Sequence, residues 1–387
     1  MFFIRGDMIT GGKRYSDKVI GISNGRISSV EDELPIAGDV HQVNGVICPG
    51  FVDIHIHGLS GYDFMDGAEA FGEIAERLPG FGVTSFLATS RTCETPDLLN
   101  FLQHAHDFRK QHSASARMLG AHIEGPWISG AFPGAQNKAY IRKFSKEDMT
   151  DIISPFSELI SIITLAPEEI RNLSLLKELS DRGIRLSAGH TQASIEEIDS
   201  AVQHGLSQVT HTFNAMSPVH HRNPGTAAAA LLYDELACEI ITDGLHVHPR
   251  MIELLYKVKG KERMMLVSDC TGYNDLENGK YVLRGKELVK SGDKVTLKNG
   301  ALAGSAITLD KGIKYAVENC GMPLEDAVYM ASEGPLHAIG KDKRKGRIEP
   351  GYDADLVVLE NDLSVAATFL NGELCEPRGQ VPWLRTR

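Results

Sequence analysis

Two histidines separated by one residue, His55 and His57, open a set of six side chains able to bind a divalent cation. The others are Glu124, His190, His211 and Asp269. On a strand, residues i and i+2 project to the same side, so His55 and His57 can address one point. Glu124 sits in His122-Ile123-Glu124-Gly125-Pro126-Trp127, where Gly-Pro stops the strand and leaves the acid at its tip. His190 follows Leu186-Ser187-Ala188-Gly189, whose small residues leave room beside an imidazole, and His211 follows Gln208-Val209-Thr210. Taken singly, each has an ordinary reading: a satisfied histidine, a solvated turn glutamate, a helix-capping aspartate. Taken together, N/O ligands with an open coordination position suit a catalytic zinc or iron(II) rather than a closed structural site. Such an ion lowers the pKa of a bound water and polarises a carbonyl. Asp269, after the apolar run Met264-Met265-Leu266-Val267-Ser268, is then the natural general base. It can take a proton from the water and later return it to a leaving nitrogen.

Six residues so far apart need a scaffold that gathers strand ends. Eight strand candidates cover 46–57, 83–89, 118–124, 159–166, 184–190, 208–211, 238–242 and 264–269. Helical patterns fit between most of them, for instance 193–204, with Ile195, Ile198, Ala201 and Val202 on one face, and 249–259. Alternating strands and helices in this number predict an α/β fold, a closed (β/α)8 TIM-like barrel, whose catalytic groups lie at the C-terminal ends of the strands. All six candidates fall at such ends. Around Asn24-Gly25 and Asn371-Gly372, flanked by short apolar runs, the chain predicts β-hairpins at both termini. The expected organisation is a small β-sandwich domain built from 1–48 and 346–387, with the metal-dependent barrel over 49–345. An inserted β segment is expected between Glu277-Asn278-Gly279-Lys280 and Lys298-Asn299-Gly300, followed by helices over 308–319 and 323–339.

Composition narrows the partners. The chain has 387 residues, enough for a large barrel and a companion domain, and a formal net charge of -11 without a long Lys/Arg run. That balance argues against nucleic acid and leaves room for a small anion held by a few local cations. Six cysteines without a CxxC pair read as reduced thiols. The N-terminus becomes charged too early for a signal peptide, and no apolar run approaches a membrane span, so a cytoplasmic location is expected.

Several segments resemble the amidohydrolase superfamily. Pro49-Gly50-Phe51-Val52-Asp53-Ile54-His55-Ile56-His57 is similar to its first-strand signature, and 346–357 to its return into the β-domain. Within the superfamily, His122–Trp127, Ser187-Ala188-Gly189-His190-Thr191 and the run from Thr210 through Asn214-Ala215-Met216-Ser217-Pro218 to Arg222-Asn223-Pro224-Gly225 resemble the N-acetylglucosamine-6-phosphate deacetylase family. The resemblance covers essentially the whole chain, and the Asn-Ala-Met-Ser-Pro run is its most specific part. It implies that Glu124, His190 and His211 hold the principal metal and that Asp269 is the catalytic acid/base. It further implies that Asn214, Ala215, Arg222, the loop Asp243, Gly244, Leu245 and His246, and Leu302, Ala303 and Gly304 hold a phosphorylated amino sugar. The family's phosphate-binding arginine reaches in from a neighbouring subunit, which implies a homodimer through Arg222. Because His55 and His57 are both present, one or two ions per subunit fit, of Zn2+ or Fe2+ first and of Mn2+ or Co2+ next. Where other members carry a histidine toward the acyl group, this chain reads Gly134-Ala135-Gln136. Gln136 can donate a hydrogen bond there but carries no charge.

The implied reaction is metal-dependent hydrolysis of N-acetyl-D-glucosamine 6-phosphate to glucosamine 6-phosphate and acetate. The galacto-configured substrate and another amidase of the superfamily stay open. Binuclear cyclic amidases bridge their metals with a carboxylated lysine ending the fourth strand; Leu165-Ala166-Pro167-Glu168 offers no lysine. A non-catalytic scaffold relative would have lost metal ligands, and none is missing.

Overall fold

The structure is a computed structural model that describes residues 1–33, 40–111, 115–283, 286–298 and 300–375. Asn299 of the expected turn and 376–387 of the expected C-terminal segment lie outside them. Eight parallel strands follow one another around a barrel in chain order: Phe51–Ile56, Val83–Thr89, Arg117–Glu124, Ile160–Leu165, Arg185–Ala188, Leu206–Val209, Ala237–Ile241 and Met264–Val267. The eighth closes on the first where the Asp269 N–H donates to the His55 carbonyl at 2.8 Å. Nearly every strand residue is buried, as parallel strands covered by helices require. The helices between strands start on local signals. Ser194 caps Ile195–Val202 in a capping box with Glu197, and His248 precedes Pro249–Lys259.

The terminal segments form one seven-stranded sheet. Its order is Glu373–Cys375, Val365–Leu370, Leu356–Leu359, Val40–Pro49, Phe2–Thr10, Lys13–Ser23, Arg26–Glu31. Both expected hairpins form, with positive φ at Asn24, Gly25, Asn371 and Gly372, the backbone that two-residue hairpin turns need. The sheet curls until these two turns meet: Ala354 N–H donates to the Gly25 carbonyl, and Gly372 N–H to that of Ala354. It encloses its own core of Ile4, Ile20, Ile22, Ile47, Leu356 and Phe369. The expected insertion is a three-stranded antiparallel sheet, Gly279–Leu283, Lys286–Ser291 and Lys294–Leu297. The chain leaving it returns to the barrel mouth, where Thr271 N–H donates to the Ser305 carbonyl at 3.0 Å.

Three expectations need correction. The expected strand 46–57 is two strands, because pairing changes partner at Gly50: Gly50 N–H donates to Asp355 of the terminal sheet, and Phe51 N–H to Gly82 of the barrel. The fifth, sixth and eighth strands stop at Ala188, Val209 and Val267, two residues before His190, His211 and Asp269. Those three residues have φ of 48, 31 and 48°, which no ladder accommodates. The expected helix 323–339 is two, Leu324–Met330 and Glu333–Ala338. Pro335 lacks an N–H, and its ring excludes the carbonyl four residues back. That carbonyl, on Ala331, accepts from Val52 N–H of the first barrel strand instead.

Candidate active site

The six candidates converge at the C-terminal mouth of the barrel. Glu124 is the pivot. Its Oε1 lies 3.2 Å from His190 Nε2 and 3.1 Å from His211 Nε2, and its Oε2 lies 3.3 Å from His57 Nε2. Asp269 Oδ1 is 3.2 Å from His57 Nε2 and 3.5 Å from His55 Nε2. Two compact groups result, Glu124/His190/His211 and His55/His57/Asp269, with ligand atoms within 4.8 Å of one another in each. Three of the six residues sit in left-handed backbone, a conformation costing a non-glycine residue roughly 1–2 kcal/mol. Such strain persists only where the surroundings over-determine it, and it clusters at functional sites.

The donor set fits divalent cations. His57 Nδ1 faces the Thr89 carbonyl at 3.3 Å and His190 Nδ1 the Phe132 carbonyl at 3.0 Å. A carbonyl only accepts, so both rings donate through Nδ1, which leaves Nε2 as the nitrogen that would face a cation. His190 and His211 then present Nε2 atoms 3.1 Å apart. His55 Nε2 is buried without a hydrogen-bond partner, 3.5 Å from oxygens of Glu124 and Asp269. Burial alone would raise the Glu124 carboxyl, but hydrogen bonds from His190, His211 and His57 hold it well below the usual range. Burial would likewise raise Asp269, and the imidazoles of His55 and His57 carry it well below. Burial would depress His55, yet Glu239 and Asp269 push it up to about 10. The buried carboxylates Glu124, Glu239 and Asp269 are thus held ionised, and the imidazole of His55 beside them is drawn toward its charged form.

A cavity of about 280 Å³ opens above these groups. His57, Glu124, His190, His211 and Asp269 line it, together with Ala135, Gln136, Asn214, Ala215, His246, Leu302 and Gly304 of the expected substrate-binding set. At Gly304 the chain returning from the inserted sheet packs on Thr271, whose Cγ2 would stand 2.3 Å from an added Cβ. Other members of that set lie outside the lining. Asp243 is a support: its Oδ2 is 2.6 Å from His246 Nδ1, and its Oδ1 accepts the N–H groups of Leu245 and His246 at 2.8 Å each. Gly244 provides the turn between them, Leu245 is exposed, and Ala303 is buried under the three-stranded sheet. Arg222 is exposed on the loop after the sixth strand and does not reach this cavity. Gln136 is already engaged, its Oε1 accepting from Thr92 N–H at 3.0 Å and its Nε2 donating to Glu124 Oε2.

A model of the amidohydrolase family matches residues 46–375. The chain belongs to that family. Over 375 residues it is 35% identical to the N-acetylglucosamine-6-phosphate deacetylase of Bacillus subtilis, covering 95% of each chain. Over 360 residues it is 29% identical to an N-acetylgalactosamine-6-phosphate deacetylase of Escherichia coli, covering 92% of this chain and 94% of the other. The crystal structure of N-acetylglucosamine-6-phosphate deacetylase from Pasteurella multocida superposes with a TM-score of 0.91 at 30% identity, covering 96% of this chain and 99% of that one. An aspartate-to-alanine variant of the Mycobacterium smegmatis enzyme, in complex with N-acetyl-D-glucosamine-6-phosphate, superposes at 0.90 with 28% identity, covering 97% and 99%.

Three further residues of this amidohydrolase site carried weaker sequence signals. Glu239, on the seventh strand, is fully buried with Oε2 2.8 Å from His55 Nδ1. Its signal was an acid inside the apolar run Cys238-Glu239-Ile240-Ile241, where an unpaired charge is not tolerated. His122 grips the Ile54 carbonyl through Nδ1 at 3.0 Å and Thr164 Oγ1 through Nε2 at 2.8 Å. Burial and the neighbouring His55 push it down to about 4, so it is neutral. With both nitrogens engaged, His122 has no lone pair for a cation, although it clusters with His55 and Glu239. Because Nδ1 donates, Nε2 accepts from Thr164, which accepts from Thr210, which accepts from Ser187. This directed chain runs beneath the candidate metal ligands. Arg91, just past the second strand, lines the cavity and pairs with Asp63 at 2.8 Å.

Proposed function

We propose that the chain hydrolyses N-acetyl-D-glucosamine 6-phosphate to D-glucosamine 6-phosphate and acetate. The observation that carries this reading is one cavity with Glu124, His190, His211 and Asp269 at its floor and Asn214, Ala215 and His246 in its wall. A bound divalent ion supplies a Lewis acid for the amide carbonyl and lowers the pKa of a water. Glu124, His190 and His211 would hold the principal ion. His55, His57 and Asp269 would hold a second beside Glu124. Zn2+ or Fe2+ suits these ligands best, with Mn2+ or Co2+ next. Asp269, a carboxylate held ionised, takes the water's proton as the C–O bond forms and passes it to the sugar nitrogen as the C–N bond breaks. His246, its ring held in place by Asp243, would donate its Nε2–H to the sugar phosphate.

Arg222 completes the phosphate site of a neighbouring subunit in this reading, so the protein is a homodimer. Its exposure supports that role, as do the exposed apolar residues Val219, Leu232, Leu245, Leu254 and Val258 on the flanking segments. No helix among the described residues is long and apolar enough to cross a membrane, and the proposed location is the cytoplasm. The galacto-configured substrate is the second reading, favoured by the Escherichia coli relative. Acetate release from both phosphorylated N-acetylhexosamines, before and after metal removal and reconstitution, separates the two. Inactivity of the reconstituted protein on both would overturn the proposal.

A further inference from the structure

Glu239 lies outside the cavity and outside every role assigned above, yet it is fully buried against the metal-binding cluster. Its Oε2 is 2.8 Å from His55 Nδ1 and accepts from the His211 backbone N–H at 3.3 Å, while its own carbonyl accepts from Thr212 N–H at 2.8 Å. One residue of the seventh strand thus grips a ligand of each proposed ion: the ring of His55 and the backbone of His211, where φ is 31°. The carboxylate sits on the Nδ1 edge of the ring, away from Nε2, so it cannot share an ion with that nitrogen. An ionised carboxylate only accepts, so it takes the proton on Nδ1 and leaves Nε2, which faces Glu124 and Asp269, as the nitrogen that would serve a cation.

We infer that Glu239 is the positioning residue that makes His55 a ligand, and through it sets the occupancy of the second ion. The inference rests on the two-ion reading of the site and not on the identity of the sugar. Removing an outer carboxylate from a ligating histidine typically weakens metal affinity by roughly 10–100-fold. Glu239→Gln retains the shape but offers an amide that can donate to Nδ1, which would place the histidine proton on Nε2 and abolish the ligand.

The test is a zinc titration of metal-free protein, scored as ions bound per subunit, with affinities and melting temperature, for wild type, Glu239→Gln, His55→Asn and the double variant. Expected is a loss of about 10–100-fold in the weaker equivalent for Glu239→Gln, with a smaller loss in the tighter one, whose ligand His211 meets Glu239 only through its backbone N–H at 3.3 Å. His55→Asn should lose the same equivalent, and the double variant should lose nothing more, since residues acting as a unit are not additive. Two ions at wild-type affinity in Glu239→Gln, parallel loss of both, or additive losses in the double variant would each overturn the inference. Should the variants not fold, the wild type still decides. In the zinc-loaded protein, nitrogen NMR should find His55 protonated at Nδ1, and a proton on Nε2 sinks the idea. A wild type that binds two zinc ions but releases no acetate from the sugar phosphates would refute the substrate and leave this inference standing.

Discussion

Replacing Asp269 by asparagine removes one charge and one proton acceptor while leaving the shape of the side chain and its backbone intact. The backbone matters here. Asp269 has φ 48° and its N–H closes the barrel onto the His55 carbonyl at 2.8 Å. Asparagine tolerates the left-handed region, whereas alanine there costs roughly 1–2 kcal/mol. Asp269→Asn should therefore fold and melt close to wild type, and Asp269→Ala should be less stable. General acid–base catalysis contributes about 10²–10⁴-fold, which is roughly 3–5 kcal/mol of barrier. We expect kcat of Asp269→Asn to fall by that factor. The principal ion should remain, because Glu124, His190 and His211 are untouched. The second should weaken, because Asp269 Oδ1 stands 3.2 and 3.5 Å from the two strand-one imidazoles. The assay is acetate release, run beside metal analysis of the same samples. A variant with full metal content and more than about a tenth of the wild-type kcat would refute the assignment of the proton transfer to this carboxylate.

Other expectations follow from the same geometry. Asp243→Asn cuts a charge-assisted contact to His246, of a kind worth about 1.5–3 kcal/mol; KM should rise about tenfold or more with kcat little changed, and an unchanged KM argues against His246 as a phosphate ligand. Arg222→Ala should also raise KM for the phosphorylated substrate, with little further loss on an unphosphorylated sugar, whereas equal losses on both would remove the arginine from the phosphate site. Because His55 is pushed up to about 10 in the metal-free protein, a cation at Nε2 must displace a proton. Affinity for the second ion should rise about tenfold per pH unit below that value, and calorimetry in two buffers at pH 8 should find about one proton released. The raised pKa also stabilises the metal-free fold below the unfolded value of about 6.5, a contribution lost as pH climbs through 10. Melting curves of metal-free wild type that show no such loss relative to His55→Asn would contradict it.

Much of the fold was legible because its signals are local. Asn24-Gly25 and Asn371-Gly372 dictate turns by backbone sterics, and each formed its hairpin. Apolar runs spaced by helical patterns marked all eight barrel strands. The errors came where one residue served two neighbourhoods. Nothing local says that Gly50 changes partner between sheets, or that the carbonyl of Ala331 is claimed by Val52. Strand ends near His190, His211 and Asp269 were misplaced by two residues, since a left-handed turn at a non-glycine residue has no clear mark in the sequence.

The sequence by itself determined which side chains could bind metal and that they lie at strand ends, because residue type and strand periodicity are properties of short segments. Only the tertiary structure decided how those side chains are used. Glu124 turns Oε1 to His190 and His211 and Oε2 to His57, Gln136 is committed to that carboxylate, and Arg222 faces outward. Most telling is Glu239, which sits 184 residues from the imidazole it orients. The proton on a histidine goes where a partner accepts it, and barrel closure alone chooses that partner.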